Sequence, residues 1–120
     1  MSVELNHTIV PARDKEQAAR FVARIFGFRY EGVHHHFAVV RVNDALTLDF
    51  DERGQFESHH YAFKVDDATF DQIMARIESE DVAYGSGPYA LDNRQVNHRR
   101  GGCGVYFRDR EGHVFEALTA

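Results

Sequence analysis

A single cysteine, Cys103, stands in 120 residues, so no disulfide can close within the chain. No apolar run approaches the roughly 20 residues needed to cross a bilayer as a helix, which argues against a membrane partner. Basic residues are also in deficit, with 14 Lys and Arg against 19 Asp and Glu and a net charge of −5. A nucleic-acid-binding surface would need a basic stripe, and none is present. The opening MSVELNHTIV has no basic start followed by an apolar stretch, so no secretory signal is expected. These absences together fit a reducing cytoplasm.

What remains is one domain's worth of chain, 43% hydrophobic, with eight histidines. Three of them run together as His34-His35-His36 and two more as His59-His60. Histidine is the commonest metal ligand, although surface histidines are ordinary. Two helices are predicted. In DKEQAARFVARIFGF, Asp14 suits an N-cap, Ala18, Phe21, Val22, Ile25 and Phe26 share one face, and Gly27 suits the stop. In DDATFDQIMARIESEDV, Phe70, Ile73, Met74 and Ile77 form the stripe, and the acidic residues Glu78, Glu80 and Asp81 belong to a solvated face.

Six segments read as strands: LNHTIVPA, HHFAVVRV, ALTLDF, HHYAFKV, GVYFRD and HVFEALT. Alternation puts Leu46, Leu48 and Phe50 on one side and Thr47 and Asp49 on the other. Tyr61, Phe63 and Val65 likewise oppose His60, Ala62 and Lys64. Asn43-Asp44 and Arg110-Glu111-Gly112 read as hairpin turns. Residues 85–104, rich in Gly, Pro, Asn and Arg, form a long and partly irregular loop.

The order of elements repeats. LNHTIVPA and a helix carrying Ala23-Arg24-Ile25 parallel HHYAFKVD and a helix carrying Ala75-Arg76-Ile77. Leu48-Asp49-Phe50 then corresponds to Phe115-Glu116-Ala117, so the chain reads as two pseudo-equivalent βαβββ units. Each unit offers one histidine on its first strand and one carboxylate on its last: His7 and Asp49, His60 and Glu116. All four face away from the helix-packed side. Alone, Glu116 would suit the solvated face of an edge strand. Within this set it has a chemical reason to be there, because imidazole and carboxylate converging on a cavity suit Fe, Mn, Ni, Co or Zn.

Three stretches carry a resemblance: LNHTIVPARDKEQAARFVARIFGFRY, SHHYAFKVDD and GVYFRDREGHVFEALT. Across nearly its whole length the chain resembles the vicinal oxygen chelate superfamily, which includes glyoxalase I, extradiol dioxygenases, fosfomycin-resistance and bleomycin-resistance proteins. The resemblance implies an α+β fold of two βαβββ modules (about residues 1–55 and 56–120), with curved mixed sheets enclosing a cavity. It implies a homodimer, in which modules of two copies complete each site. It makes His7, His60 and Glu116 ligands of one divalent metal ion. Asp49 falls where glyoxalase I has a glutamate ligand, and aspartate is one methylene shorter. Tyr106 matches a residue that faces the substrate in fosfomycin-resistance proteins. The serine-rich potassium loop and C-terminal arginine of the fosfomycin transferases have no counterpart, which argues against a fosfomycin role.

The expected function is therefore that of a metal-dependent enzyme acting on a small, oxygen-chelating substrate. A His-His-Glu triad suits dioxygenase chemistry. A fourth ligand at Asp49 suits a glyoxalase-like lyase or isomerase step, with Glu116 or Asp49 serving as base. Asn97, His98, Arg99 and Arg100 read either as a solvated loop or as a substrate-binding one, an arginine fork holding an anionic group. His34 to His36 read as a polar strand start or pocket rim, His113 as structural, and Cys103 as buried or incidental. A competing function is a metal-free protein that sequesters a drug or metabolite, as bleomycin-resistance proteins do. An acidic cleft would suit a cationic drug.

Overall fold

The computed structural model describes residues 2–120, and the chain divides into two compact units between Glu57 and Ser58. Each has the same plan. In the first, β1 (His7–Ala12) leads through α1 (Lys15–Phe26) to β2 (Arg29–His34), β3 (Phe37–Arg41) and β4 (Thr47–Glu52). In the second, β5 (His60–Lys64) leads through α2 (Asp67–Ser79) to β6 (Tyr84–Gly85), β7 (Gly104–Arg108) and β8 (Val114–Leu118). The sheets are ordered β1-β4-β3-β2 and β5-β8-β7-β6. In both, the first strand pairs parallel with the last and the remaining pairs are antiparallel. This is the expected α+β architecture of two βαβββ modules.

The helices start and stop for local reasons. The Asp14 carboxylate accepts from the Gln17 N–H at 3.2 Å, capping an otherwise unpaired donor of α1. Gly27, at φ 78°, closes the helix in the left-handed conformation and donates to the Ala23 carbonyl. Ala18, Ala19, Val22, Ala23, Ile25 and Phe26 are buried, and α1 packs on all four strands of its sheet. Phe21, expected on that stripe, is instead half-exposed beneath the Arg24 guanidinium. Asp66 caps α2 by accepting from Thr69 at 2.8 Å. No glycine follows α2, so Asp81 takes the left-handed turn at φ 54° and Val82 donates back to the Ile77 carbonyl at 2.9 Å. Phe70, Ile73 and Ile77 are buried, whereas Met74 is half-exposed.

Strand alternation then decides which side chains reach the open face of each sheet. Leu48 and Phe50 are buried beside Val10 and Ala12 in the first core. Phe115 and Ala117 are buried with Val105 and Phe107 in the second. Phe115 stacks on both Phe107 and Tyr61, at centroid separations of 5.8 Å and 5.5 Å. The intervening residues, His7, Asp49, His60, Glu116 and Tyr106, belong to the opposite faces.

Two strands lie outside the six expected segments, and both are sheet edges. β2 carries a bulge at Glu31, where the register slips between Tyr30 and Gly32. The three histidines close the β2–β3 hairpin, with His35 at φ 58°. β6 is only two residues long, and the irregular segment beyond it contains a short 3-10 turn at Arg99–Gly101.

Candidate metal and substrate site

The two modules present their histidine and carboxylate at the same register. His7 pairs with Thr47, two residues before Asp49, and His60 pairs with Val114, two residues before Glu116. Parallel pairing puts each histidine and carboxylate on one face, diagonally across two strands, within reach of long side chains. The outcomes differ by one methylene. In the second module, His60 Nε2 and Glu116 Oε1 meet at 3.0 Å. In the first, Asp49 Oδ1 accepts from the Thr47 hydroxyl at 3.0 Å, while His7 Nδ1 contacts Asn6 Oδ1 at 2.8 Å.

The donor set suits a divalent cation. Imidazole nitrogen and carboxylate oxygen are ligands of Fe, Mn, Ni, Co and Zn, and here His60 and Glu116 are joined by their 3.0 Å hydrogen bond. Glu116 is 13% exposed and His60 is 45% exposed, so the pair is open on the imidazole side. Among the described residues, no group of three or more His, Cys, Asp and Glu side chains gathers to hold an ion. The structure therefore brings together two of the expected ligands.

Tyr106 lies directly opposite Glu116 across the β7–β8 ladder and is 4% exposed. Its ring is tilted against that of His60 at 5.7 Å. Burial raises its phenol pKa, and the hydrogen bond to Glu116 raises it further, opposed by Arg99. Arg99 donates from Nη1 to the Tyr106 hydroxyl at 2.9 Å and from Nη2 to the Ser86 carbonyl at 3.4 Å.

Beside Glu116 is a cleft of about 220 Å³, lined by Asn97, Arg99, Arg100, Cys103, Leu118 and Ala120. The 85–104 loop thus brings three of its own four predicted substrate-binding residues to the carboxylate's surroundings. The fourth, His98, lines a neighbouring cleft with Cys103, Asp67 and Asp71. Loop closure is tight. Asn97 and Gly104 exchange two backbone hydrogen bonds of 2.9 Å, and a Cβ on Gly104 would fall 2.8 Å from Asn97 Oδ1. Asn97 Nδ2 in turn donates to the Ser86 carbonyl at 3.0 Å.

Some of this eluded sequence reading. Cys103 Sγ lies 3.6 Å from His98 Nδ1, a contact made when the loop doubles back through Gly101-Gly102. Leu118 joins the cleft because it stands two residues beyond Glu116 on one strand, a signal that alternation contains. His113 is fully buried, and its Nδ1 accepts from the His59 N–H at 2.9 Å, in keeping with its structural reading. The neighbouring Asp109 carboxylate is buried too, and its Oδ1 accepts from the Glu111 and His113 amides. Burial pushes the Asp109 pKa up, and with it the Tyr61 phenol is raised to about 12, mainly by its own burial.

No family model matches the chain. Among solved structures, it is 41% identical to the oxidase ChaP-H2, covering 100% of this chain and 95% of that one with a TM-score of 0.93. It is 39% identical to the oxidase ChaP-H1, covering 99% and 97% with a TM-score of 0.93. The fosfomycin resistance protein FosX of Mesorhizobium japonicum is 29% identical over 126 aligned positions, 96% of this chain and 84% of the relative. Among the described residues, no helix is long and apolar enough to cross a membrane. Duplicated βαβββ modules, a histidine–carboxylate pair at matched register and these relatives lead to one conclusion: the chain belongs to the vicinal oxygen chelate superfamily.

Proposed function

We propose that the protein is a divalent-metal enzyme acting on a small anionic substrate with two neighbouring oxygens. The observation that carries this reading is the 3.0 Å approach of His60 Nε2 to Glu116 Oε1 beside an arginine-lined cleft. His7 is the third ligand, as the superfamily pattern supplies it, and a homodimer is the assembly in which the set is completed. A bound divalent ion there would polarise the substrate oxygens and lower the cost of negative charge developing on them.

The chain's own residues do the rest. Arg100 and Asn97 hold the anionic group of the substrate, the guanidinium through paired donors. Leu118 and Ala120 supply an apolar wall that limits water beside Glu116. The Asp49 carboxylate has one oxygen engaged by Thr47, which leaves Oδ2 to accept a proton from the substrate. Of the two reaction classes, oxygen-dependent oxidation is favoured over a lyase or isomerase step, because the relatives at 41% and 39% identity are oxidases.

The test is turnover. Chelator-stripped protein, reloaded separately with Fe, Mn, Ni, Co or Zn, is offered catechols, hydroxyquinones and 2-hydroxycarbonyl compounds under air and under nitrogen. Oxygen uptake that requires metal and disappears in Glu116→Gln supports the oxidase reading. Metal-dependent turnover without oxygen uptake would move it to a lyase or isomerase. Tight ligand binding without turnover under every metal would make it a sequestering protein.

A further inference from the structure

Tyr106 is nearly inaccessible, yet it touches both members of the His60–Glu116 pair. Its ring centroid lies 5.7 Å from that of the imidazole, and its hydroxyl hydrogen-bonds the Glu116 side chain from the facing position of the ladder. Its hydroxyl is spoken for on the other side, at 2.9 Å, by Arg99. Arg99 is itself fixed twice more, by the Ser86 carbonyl at 3.4 Å and by placing its guanidinium 5.7 Å from the Tyr106 ring centroid. A backbone bond from the Arg99 N–H to Asn97 Oδ1 at 3.3 Å ties its start to the loop closure.

We infer that Tyr106 is a positioning residue for the histidine–carboxylate pair and that Arg99, reaching over from the 85–104 loop, is the lock that holds it. The inference rests on the metal reading above and assigns a role within that site. Both rotatable ligand side chains stand on an open sheet face, where a flexible glutamate has several rotamers available. A phenol clamped against Glu116 on one side and His60 on the other narrows that choice. Outer residues that orient ligands in this way typically alter metal affinity by about 10- to 100-fold when removed. The arrangement also divides labour between adjacent arginines: Arg99 is committed to the tyrosine, and Arg100 is the one directed to substrate.

Cobalt(II) titration of chelator-stripped protein tests this, with affinity and the visible spectrum of the cobalt complex as readouts. Tyr106→Phe keeps the ring and removes the hydroxyl. It is expected to weaken cobalt binding about 10-fold or more and to shift the spectrum. Arg99→Gln, a change on an exposed loop residue, is expected to weaken binding in the same direction. The double variant should bind no worse than Tyr106→Phe alone, because the lock acts through the hydroxyl. Thermal unfolding of the metal-free proteins controls for folding, and Arg99→Gln carries the test if Tyr106→Phe fails to fold. Wild-type affinity and spectrum in both single variants would overturn the inference while leaving the metal site standing. Absence of cobalt binding in the wild-type protein would overturn both.

Discussion

Adjacent residues on β8 should fail in opposite ways. Phe115 is fully buried, stacked between Tyr61 and Phe107, while Glu116 points from the other face toward His60. A buried aromatic side chain removes about 150–250 Å² from water. At about 25 cal/mol per Å², that is about 4–6 kcal/mol before the alanine β-carbon is discounted. Phe115→Ala should therefore cost about 3–5 kcal/mol, the range seen when a core phenylalanine is truncated. Glu116→Gln keeps an acceptor for the Tyr106 hydroxyl and loses only a contact to a half-exposed imidazole. Such pairs near solvent contribute about 0–1 kcal/mol. Urea unfolding followed by far-UV circular dichroism separates the two, and midpoints should be compared at equal slope. A loss below about 1 kcal/mol for Phe115→Ala, or above about 2 kcal/mol for Glu116→Gln, would refute the two-faced reading of this strand.

Two further perturbations probe the surroundings of the site. Asp109 is buried, and its pKa is raised in the folded protein, so the fold holds its proton more tightly than the unfolded chain does. Its contribution is fully present below the unfolded carboxylate pKa of about 3.9 and is lost as pH rises through the folded value. Asp109→Asn keeps the acceptor for the Glu111 and His113 amides and removes that slope. Its stability relative to wild type should therefore climb with pH across this window, and parallel curves would contradict the assignment. Gly104→Ala drives a Cβ to 2.8 Å from Asn97 Oδ1, where the backbone bridge and the bond to Ser86 hold the amide in place. Hydrogen exchange at the Asn97 amide should accelerate, with a stability cost of about 1–3 kcal/mol. Unchanged protection there would show that the loop closes by other means.

Most of the fold could be read because the chain states it twice. The matched segments around His7 and His60 predicted equivalent strands, and the ladders put Asp49 and Glu116 at the same two-residue offset from their partners. The strands that escaped are edges, which need not alternate. β2 pairs on one side only and breaks its pattern with a bulge, and β6 is too short to show a period. The site divides along a similar line. Glu116 and His60 were legible because strand alternation fixes which face they take. The proximity of Cys103 to His98 and the clamp from Arg99 to Tyr106 arise when an irregular loop folds back, and no periodicity encodes that. Asp109 reads in sequence as the last residue of the GVYFRD strand, whereas in the structure its carboxylate caps the β7–β8 hairpin by accepting from the Glu111 and His113 amides.

The central claim is that His60 and Glu116 are ligands of one divalent ion. Its most direct test is the metal content of protein purified without an affinity tag or chelator, beside His60→Ala, Glu116→Gln and His7→Ala variants. The account predicts about one equivalent of Fe, Mn, Ni, Co or Zn per chain in the wild type, lost in each variant, while all four proteins stay folded. Metal-free wild-type protein that takes up none of these ions when they are supplied would contradict it.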